Sequence, residues 1–409
     1  MEVKPGYKQT EVGVIPEEWD AGRLEEYFSF ISYGFTNPMP TVEHGIYLIT
    51  AADVSDGRIQ FNTARHTTEI AYRTLLTPKS KPKKNDILLT KDGSLGRLAL
   101  AGDEVICINQ SVAVIRPNEK VEPVFLKMLL ESPSCQKKML EDAGGSTIKH
   151  IYITIVNLML IAVPKSRAEQ RAIAGALSDV DALTGALDSA LAKKHDLKQA
   201  AMQQLLTGQK RLPGFHGEWE AKRLGDVIKE IGDGATPSTA DPLNFGGPIH
   251  WVVIDDIRDE IVSTKNTLTE RGLQACAAQL WQPGTLILST GATIGEVGVA
   301  RVPVATKQGI CGLVIDHDKA NTEFLKYWFV QNKSLLLSKA QGSSIKEVRA
   351  PTLVQFEIWL PEVPEQTAIA EVLSDMDAEL AALAKRRDKT RALKQGMMQE
   401  LLTGRTRLV

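Results

Sequence analysis

Two stretches of the chain share one hydrophobic rhythm. Apolar residues fall at Ile173, Leu177, Val180, Leu187 and Leu191, with Thr184 in the remaining slot, and again at Ile369, Leu373, Met376, Leu380 and Leu383. Steps of four and three place these side chains on one narrow helical stripe, the spacing of a coiled-coil seam. Pro164 and Pro364 stand just ahead of the predicted helices, and a Glu-Gln pair follows each. Gly208 and Gly404 close them in Leu-Leu-Thr-Gly. A helix of about 40 residues runs roughly 60 Å, more than one small head can cover. Each seam is therefore expected to find its partner in the other, as an antiparallel pair with approximate two-fold symmetry. Beyond Leu191 and Leu383 the register slips at Lys193, Lys194 and His195, and at Lys385, Arg386 and Arg387. These charges suit either a solvated face or a docking strip.

Ahead of each helix the pattern changes to short apolar runs separated by turns rich in Gly, Ser, Thr and Asn. The runs at 45–54, 86–91, 111–117 and 155–164 predict strands in the first half, as do those at 250–255, 285–290 and 312–316 in the second. Longer amphipathic segments at 124–140 and 322–340 predict helices. Each head thus reads as mixed α/β (α+β). The expected division is a head over 1–163, a helix over 164–212, a second head over 213–361 and a second helix over 362–409.

The two halves are copies. Trp19 matches Trp219 at an offset of 200, Gly96 matches Gly295 at 199, Gln110 matches Gln308 at 198, Gly145 matches Gly342 at 197 and Glu169 matches Glu365 at 196. Matches that keep one order with a slowly drifting offset indicate duplication with small loop changes. Between 169–208 and 365–404, 22 of 40 positions are identical, far more than between the heads. Two tails with one task and two heads with different specificities give this divergence.

Composition bounds the chemistry. The formal net charge is −2 over 409 residues. Nonspecific coating of nucleic acid needs a strongly basic chain, so any DNA binding here has to rest on local charge or on a partner's additional contacts. Cys107, Cys135, Cys276 and Cys311 have no paired spacing, which argues against a structural zinc site and fits a reducing cytoplasm. No apolar run is long enough for a membrane helix. The glycines at 291, 295 and 298 lack the lysine of a phosphate-binding loop and miss the dinucleotide spacing. Asn37-Pro38-Met39-Pro40 lacks the aromatic that stacks on a flipped base. No catalytic or metal-ligating constellation is legible, so the chain is expected to be noncatalytic.

The loops are better suited to binding. Lys83 and Lys84 belong to a basic cluster, with Lys79 and Lys81, before the strand at 86–91; Lys91 and Arg97 flank the first glycine turn. Lys149 follows the first Gly-Ser turn, while Lys346 and Arg349 follow the second. Gln110 in the first head parallels Lys307 and Gln308 in the second. Lys and Arg suit phosphate oxygens, and Gln and Arg suit base edges in the major groove. Each residue taken singly is more often a solvated surface residue. The recurrence of Lys149 and Lys346 at equivalent places favours the binding reading.

The Trp19 and Trp219 openings, the Gly232–Ser238 loop, the turns before Lys149 and Lys346, and the helix starts and ends together resemble the specificity subunit of type I restriction–modification systems. The resemblance spans essentially the whole chain. It implies that each head recognises one half of a split, asymmetric double-stranded DNA site and that the helices act as a ruler and dock two modification subunits. Half-sites about one helical turn apart, roughly 34 Å, are within the reach of such helices. It also implies that S-adenosylmethionine binds in the modification subunits, that ATP and magnesium serve restriction subunits as further partners, and that this chain carries no cofactor. The alternative is a two-headed coiled-coil adaptor that joins proteins without sequence-specific DNA binding.

Overall fold

The computed structural model describes residues 4–141, 143, 149–342 and 346–408. The turns expected at Gly144-Gly145-Ser146 and Ser343-Ser344 lie outside them. The chain divides into two compact units, Met1–Leu187 with Arg386–Val409, and Asp188–Lys385. Each unit combines a head with segments of both long helices.

In the first unit a four-stranded antiparallel sheet has the order Leu98–Leu100, Ile87–Thr90, Val112–Pro117, Phe28–Tyr33. Its central strands are apolar over residues 87–89 and 112–115, where both faces are covered. Ile87, Leu89, Ala113 and Ile115 join one core cluster, whereas Leu88, Val112 and Val114 join another. Alternating side chains thus serve two cores, and the sequence shows a continuous apolar run instead of an alternating one. A three-stranded sheet of Ile106–Ile108, Ile46–Ile49 and Arg65–Thr67 lies alongside. The second unit repeats the plan with Ile228–Asp233, Ile310–Ile315, Leu286–Ser289, Val297–Ala300 and the short Glu260–Ile261.

Several elements differ from the sequence pattern. The strands expected at 45–54 and 250–255 end at Ile49 and Val252, and the chain turns there into short 3-10 segments, Ala51–Asp53 and Ile254–Asp256. The run at 155–164 is not one strand: a short helix, Ile153–Leu158, precedes strand Leu160–Pro164. The amphipathic segment at 124–140 breaks into Pro123–Glu131 and Pro133–Glu141, since a residue before proline is pushed to extended backbone and Ser132 adopts ψ 146°. The corresponding helix of the second unit breaks at Asn332.

The long helices are Arg167–Leu205 and Val363–Leu401. Pro364 therefore lies inside the first turn, where its missing N–H costs no hydrogen bond. Within each unit the two helical segments run antiparallel. Asp181 pairs with Lys394 at 2.6 Å in the first, and Lys194 with Glu379 at 2.7 Å and Lys198 with Asp377 at 2.5 Å in the second.

The seam itself is divided in function. Ile173 and Leu177, both fully buried, join the core of the first head together with Met398, Leu401 and Leu402 from the end of the other helix. Ile369 and Leu373 do the same in the second unit with Met202, Leu205 and Leu206. Leu187, Leu191 and Leu380 are also buried, whereas Val180, Met376 and Leu383 are half-buried. Each helix start therefore packs on its own head and on the other helix's end.

Buried polar groups fix this joint. Gln170 Oε1 accepts the Glu122 backbone N–H at 2.7 Å, and its Nε2 donates to the Pro164 and Lys120 carbonyls at 2.8 and 3.0 Å. Gln366 makes the same three bonds, to Asn321, Pro361 and Lys319. Glu169 accepts from the Trp19 indole at 3.3 Å and from Arg407 Nη2 at 2.9 Å. In the second unit Glu365 receives both ends of the Arg211 guanidinium at 2.5 Å. The Glu-Gln pair is thus a docking motif, and the Arg-Leu just beyond each Leu-Leu-Thr-Gly supplies the opposing charge.

Candidate nucleic-acid interface

In each head several loops converge where the central sheet strands end. Tyr33 closes one strand, and the next residues are stitched to the turn before Val112: Phe35 N–H donates to Ile108 O at 3.1 Å, and Gln110 N–H donates to Phe35 O at 2.8 Å. Gly34 is required here, because a Cβ would lie 1.9 Å from Ile108 O. Lys91 N–H donates to Ser111 O at 2.9 Å, and Lys91 O accepts from Ile151 N–H at 3.0 Å. The result is a rim bearing Tyr33, Lys91, Gln110 and Lys149. The second head builds the same rim. Gly234 N–H donates to Ile310 O at 2.9 Å, Thr290 N–H to Gly309 O at 2.8 Å, and Val348 N–H to Thr290 O at 2.8 Å. Gly234 again admits no Cβ, with Thr306 O and Lys307 O both 2.3 Å from that position.

Of the residues expected from sequence, the first rim brings together Lys91, Gln110 and Lys149, and the second Lys307, Gln308, Lys346 and Arg349. All but Lys91 are exposed. Lys91 is held by Asp92 at 2.7 Å, and the Arg349 guanidinium lies 4.0 Å from Glu347. Three others are placed differently. Lys83 and Lys84 precede the start of strand Ile87–Thr90, the end opposite Lys91, and Lys84 pairs with Asp103 at 2.8 Å. Arg97 points its Nη1 to the Val54 carbonyl at 3.3 Å, in an open cleft lined also by Asp56, Glu131 and Gln136.

Beside these lysines stand Tyr33, Tyr72, His150 and Tyr152, which sequence reasoning passed over. Lys79 and Lys91 each place an ammonium 5.4 Å from the centre of the Tyr33 ring, which is 41% exposed. Lys81 lies 4.7 Å from the Tyr72 ring. His150 Nδ1 donates to Asp92 Oδ1 at 2.6 Å, and nearby Tyr152 is 48% exposed. Aromatic faces beside ammonium groups suit both the phosphates and the stacked surfaces of nucleic acid. The available signal was the interleaving of Tyr33, Tyr72 and Tyr152 with Lys79, Lys81 and Lys149, scattered over about 120 residues.

The thiols offer no reactive centre at either rim. Burial pushes Cys107 up to about 12. Burial also raises Cys311, and the Asp233 carboxylate it donates to raises it further. Among the described residues no group of three or more His, Cys, Asp or Glu side chains is placed to hold a metal ion. No helix among them is long and apolar enough to cross a membrane.

The family described as "Type I restriction modification DNA specificity domain" matches residues 41–194 and, a second time, 216–390. The chain belongs to this family. The two matches follow the internal repeat; the first takes in the rim apart from Tyr33, the second takes in its whole rim, and each includes the start of a long helix. Among relatives, the putative type I restriction enzyme MjaX specificity subunit of Methanocaldococcus jannaschii is 23% identical, over 98% of this chain and 97% of that protein. The MjaIX specificity subunit of the same organism is 33% identical over 39% of this chain and 38% of its own length. The fold is shared with a crystal structure of the type I restriction–modification S subunit from M. genitalium, at a TM-score of 0.62, 15% identity and 98% coverage of both chains. A structure concerned with assembly and conformational transition of the type I system gives 0.60 at 19% identity, covering 96% of this chain and 99% of that one. Membership in this specificity family leaves the adaptor reading without support.

Proposed function

We propose that this chain is the noncatalytic DNA-specificity subunit of a type I restriction–modification complex. Each head reads one half of a bipartite, asymmetric site on double-stranded DNA. The functional division follows 1–163 and 213–361 as target-recognition domains, with 164–212 and 362–409 as spacer helices. The seam residues beyond the head cores, Leu187, Leu191, Leu380 and Leu383, set spacer length. Two modification subunits dock on the helices and supply S-adenosylmethionine; restriction subunits add ATP- and magnesium-dependent steps. The complex works in the cytoplasm.

The observation that carries this reading is the repeated rim inside a repeated family match. Both rims hold Lys and Gln side chains, with Arg349 added in the second, on loops fixed by backbone hydrogen bonds, and loops on a rigid scaffold are where recognition residues concentrate. A near-neutral chain fits if the modification subunits complete the grip on DNA.

The test is co-expression with the cognate methyltransferase subunit followed by methylated-base sequencing. A bipartite methylated motif is expected; no methylation together with no DNA retention by the complex refutes the proposal. Replacing 213–361 by the corresponding head of a relative is expected to change one half of the motif, and a change in both halves refutes independent reading. A heptad inserted in both helices is expected to change the spacer alone.

A further inference from the structure

The two rims are built alike but charged differently. In the first unit the chain runs from strand Arg65–Thr67 through a helix capped by Thr68, whose Oγ1 accepts the Ala71 N–H at 3.1 Å. In the second it runs from Asn266–Leu268 through a helix capped by Thr269, whose Oγ1 accepts the Gly272 N–H at 3.0 Å. Both paths then reach a residue of positive φ, Asn85 at 69° or Gly284 at 92°. Asn85 N–H donates to Ala101 O at 2.9 Å and Gly284 N–H to Ala300 O at 2.8 Å. The central strand Ile87–Thr90 or Leu286–Ser289 follows. These shared anchors fix the alignment between the two loops.

Aligned this way, Lys79, Lys81, Lys83 and Lys84 correspond to Ala278, Leu280, Gln282 and Pro283. Residues 65–97 carry eight Lys and Arg against three carboxylates, a net of +5; residues 266–296 carry one against two, a net of −1. The rims follow the same trend. Tyr33 is matched by Asp233, and His150 by Glu347, which bridges to Gly291 as His150 does to Asp92. Among the described residues Lys79, Lys81 and Lys83 have no carboxylate within ion-pair distance, and Lys79 and Lys83 are exposed. Lys79 and Lys81 are oriented by the rings of Tyr33 and Tyr72.

We infer that the loop 78–84 is a phosphate clamp carried by the first head and missing from the second, so that the two heads share the backbone grip on DNA unequally. This rests on the reading of both heads as DNA-binding and adds which of them anchors. Uncompensated ammonium groups in a loop that starts at the Tyr33 ring of the rim and runs to the far end of strand Ile87–Thr90 attract the DNA backbone whatever the base sequence. In the second head Asp233 and Glu347 oppose phosphate at equivalent places, so binding there depends more on the fit to bases.

The experiment measures binding of the assembled specificity–methyltransferase complex to its site by fluorescence anisotropy between 50 and 200 mM salt. Each phosphate contact contributes about 0.9 to the slope of log affinity against log salt. The triple variant Lys79→Gln, Lys81→Gln, Lys83→Gln is expected to lower that slope by about 2 to 3 and leave the methylated motif unchanged. The Lys→Arg triple is expected to keep the parental slope. Neutralising Lys307, Lys346 and Arg349 to Gln is expected to lower it by less. An unchanged slope in the first triple, an equal loss in the Arg triple, or an equal or greater fall in the second-head triple overturns the inference while leaving DNA recognition intact. A parental complex that binds no DNA overturns both.

Discussion

Arg407→Ala should loosen the first unit through one carboxylate. Glu169 is 1% exposed, and its partners are the Trp19 indole N–H and the Arg407 guanidinium, which also reaches Glu18 at 2.6 Å. Removing one member of a buried ion pair costs about 3–5 kcal/mol, because the other charge is left in an apolar setting. The Arg407 side chain is 26% exposed, so water enters part of the vacated space. That screening brings the expected loss to about 2–3 kcal/mol. At about 1.4 kcal/mol per tenfold, local opening becomes roughly 30- to 140-fold more frequent. Native-state hydrogen exchange reads this directly, as faster exchange at the start of the first long helix with little change around Glu365, whose partner is Arg211. With Glu169→Gln as background the same Arg407→Ala change should cost much less, since no unpaired charge remains. Unchanged exchange in Arg407→Ala, or an equal loss in both backgrounds, refutes the assignment of this stability to the buried pair.

Three further outcomes are expected. Hydrogen bonds and charge from Arg167, with Arg171 adding to them, outweigh burial and hold the Glu122 carboxyl below its usual range. A depressed carboxylate stabilises the fold above its unfolded pKa of about 4.3 and loses that contribution as pH falls through the lower folded value. Glu122→Gln should therefore reduce stability near neutrality and flatten the acid limb of a pH–stability profile; an unaltered limb refutes the clasp. Cys107, Cys135 and Cys311 are buried and Cys276 is partly exposed, so a thiol reagent should modify Cys276 first in the native protein, with the others following on unfolding. Simultaneous reaction of all four contradicts the burial. Gly34→Ala forces a Cβ to within 1.9 Å of Ile108 O and should destabilise the first head by about 2 kcal/mol or more, measured by denaturant titration. A neutral result shows that the loop can move aside.

Much of the architecture is legible in one dimension because it is periodic. The seam from Ile173 to Leu191 and its copy declare two helices, and the drifting offset from Trp19/Trp219 to Glu169/Glu365 declares two heads. The Glu-Gln signature is visible as well, since identical surroundings preserved identical residues. Its reason is not visible. That Gln170 ties the helix start to Lys120 and Pro164, and that Glu169 meets Arg407 across 238 positions, are contacts between segments no local pattern connects. The fate of Ile173 and Leu177 is similar: a seam pattern requires an apolar neighbour and does not specify whether a helix or a head core provides it.

The rim was legible only in outline. Lys91, Gln110 and Lys149 lie in loops that the sequence marks by turn residues, but their convergence depends on sheet register, which brings Tyr33 opposite Ala113 and Val112 opposite Thr90. Lys83 and Lys84 fall at the far end of their strand for the same reason, since a four-residue strand separates them from Lys91. The sequence alone determined the duplication, the helical frame and the charge difference between the heads, because repeats, periodicity and net charge are properties of residue order. Only the tertiary structure decided which cations share a rim, which carboxylates neutralise them and which aromatic rings orient them, because those are distances between groups far apart along the chain.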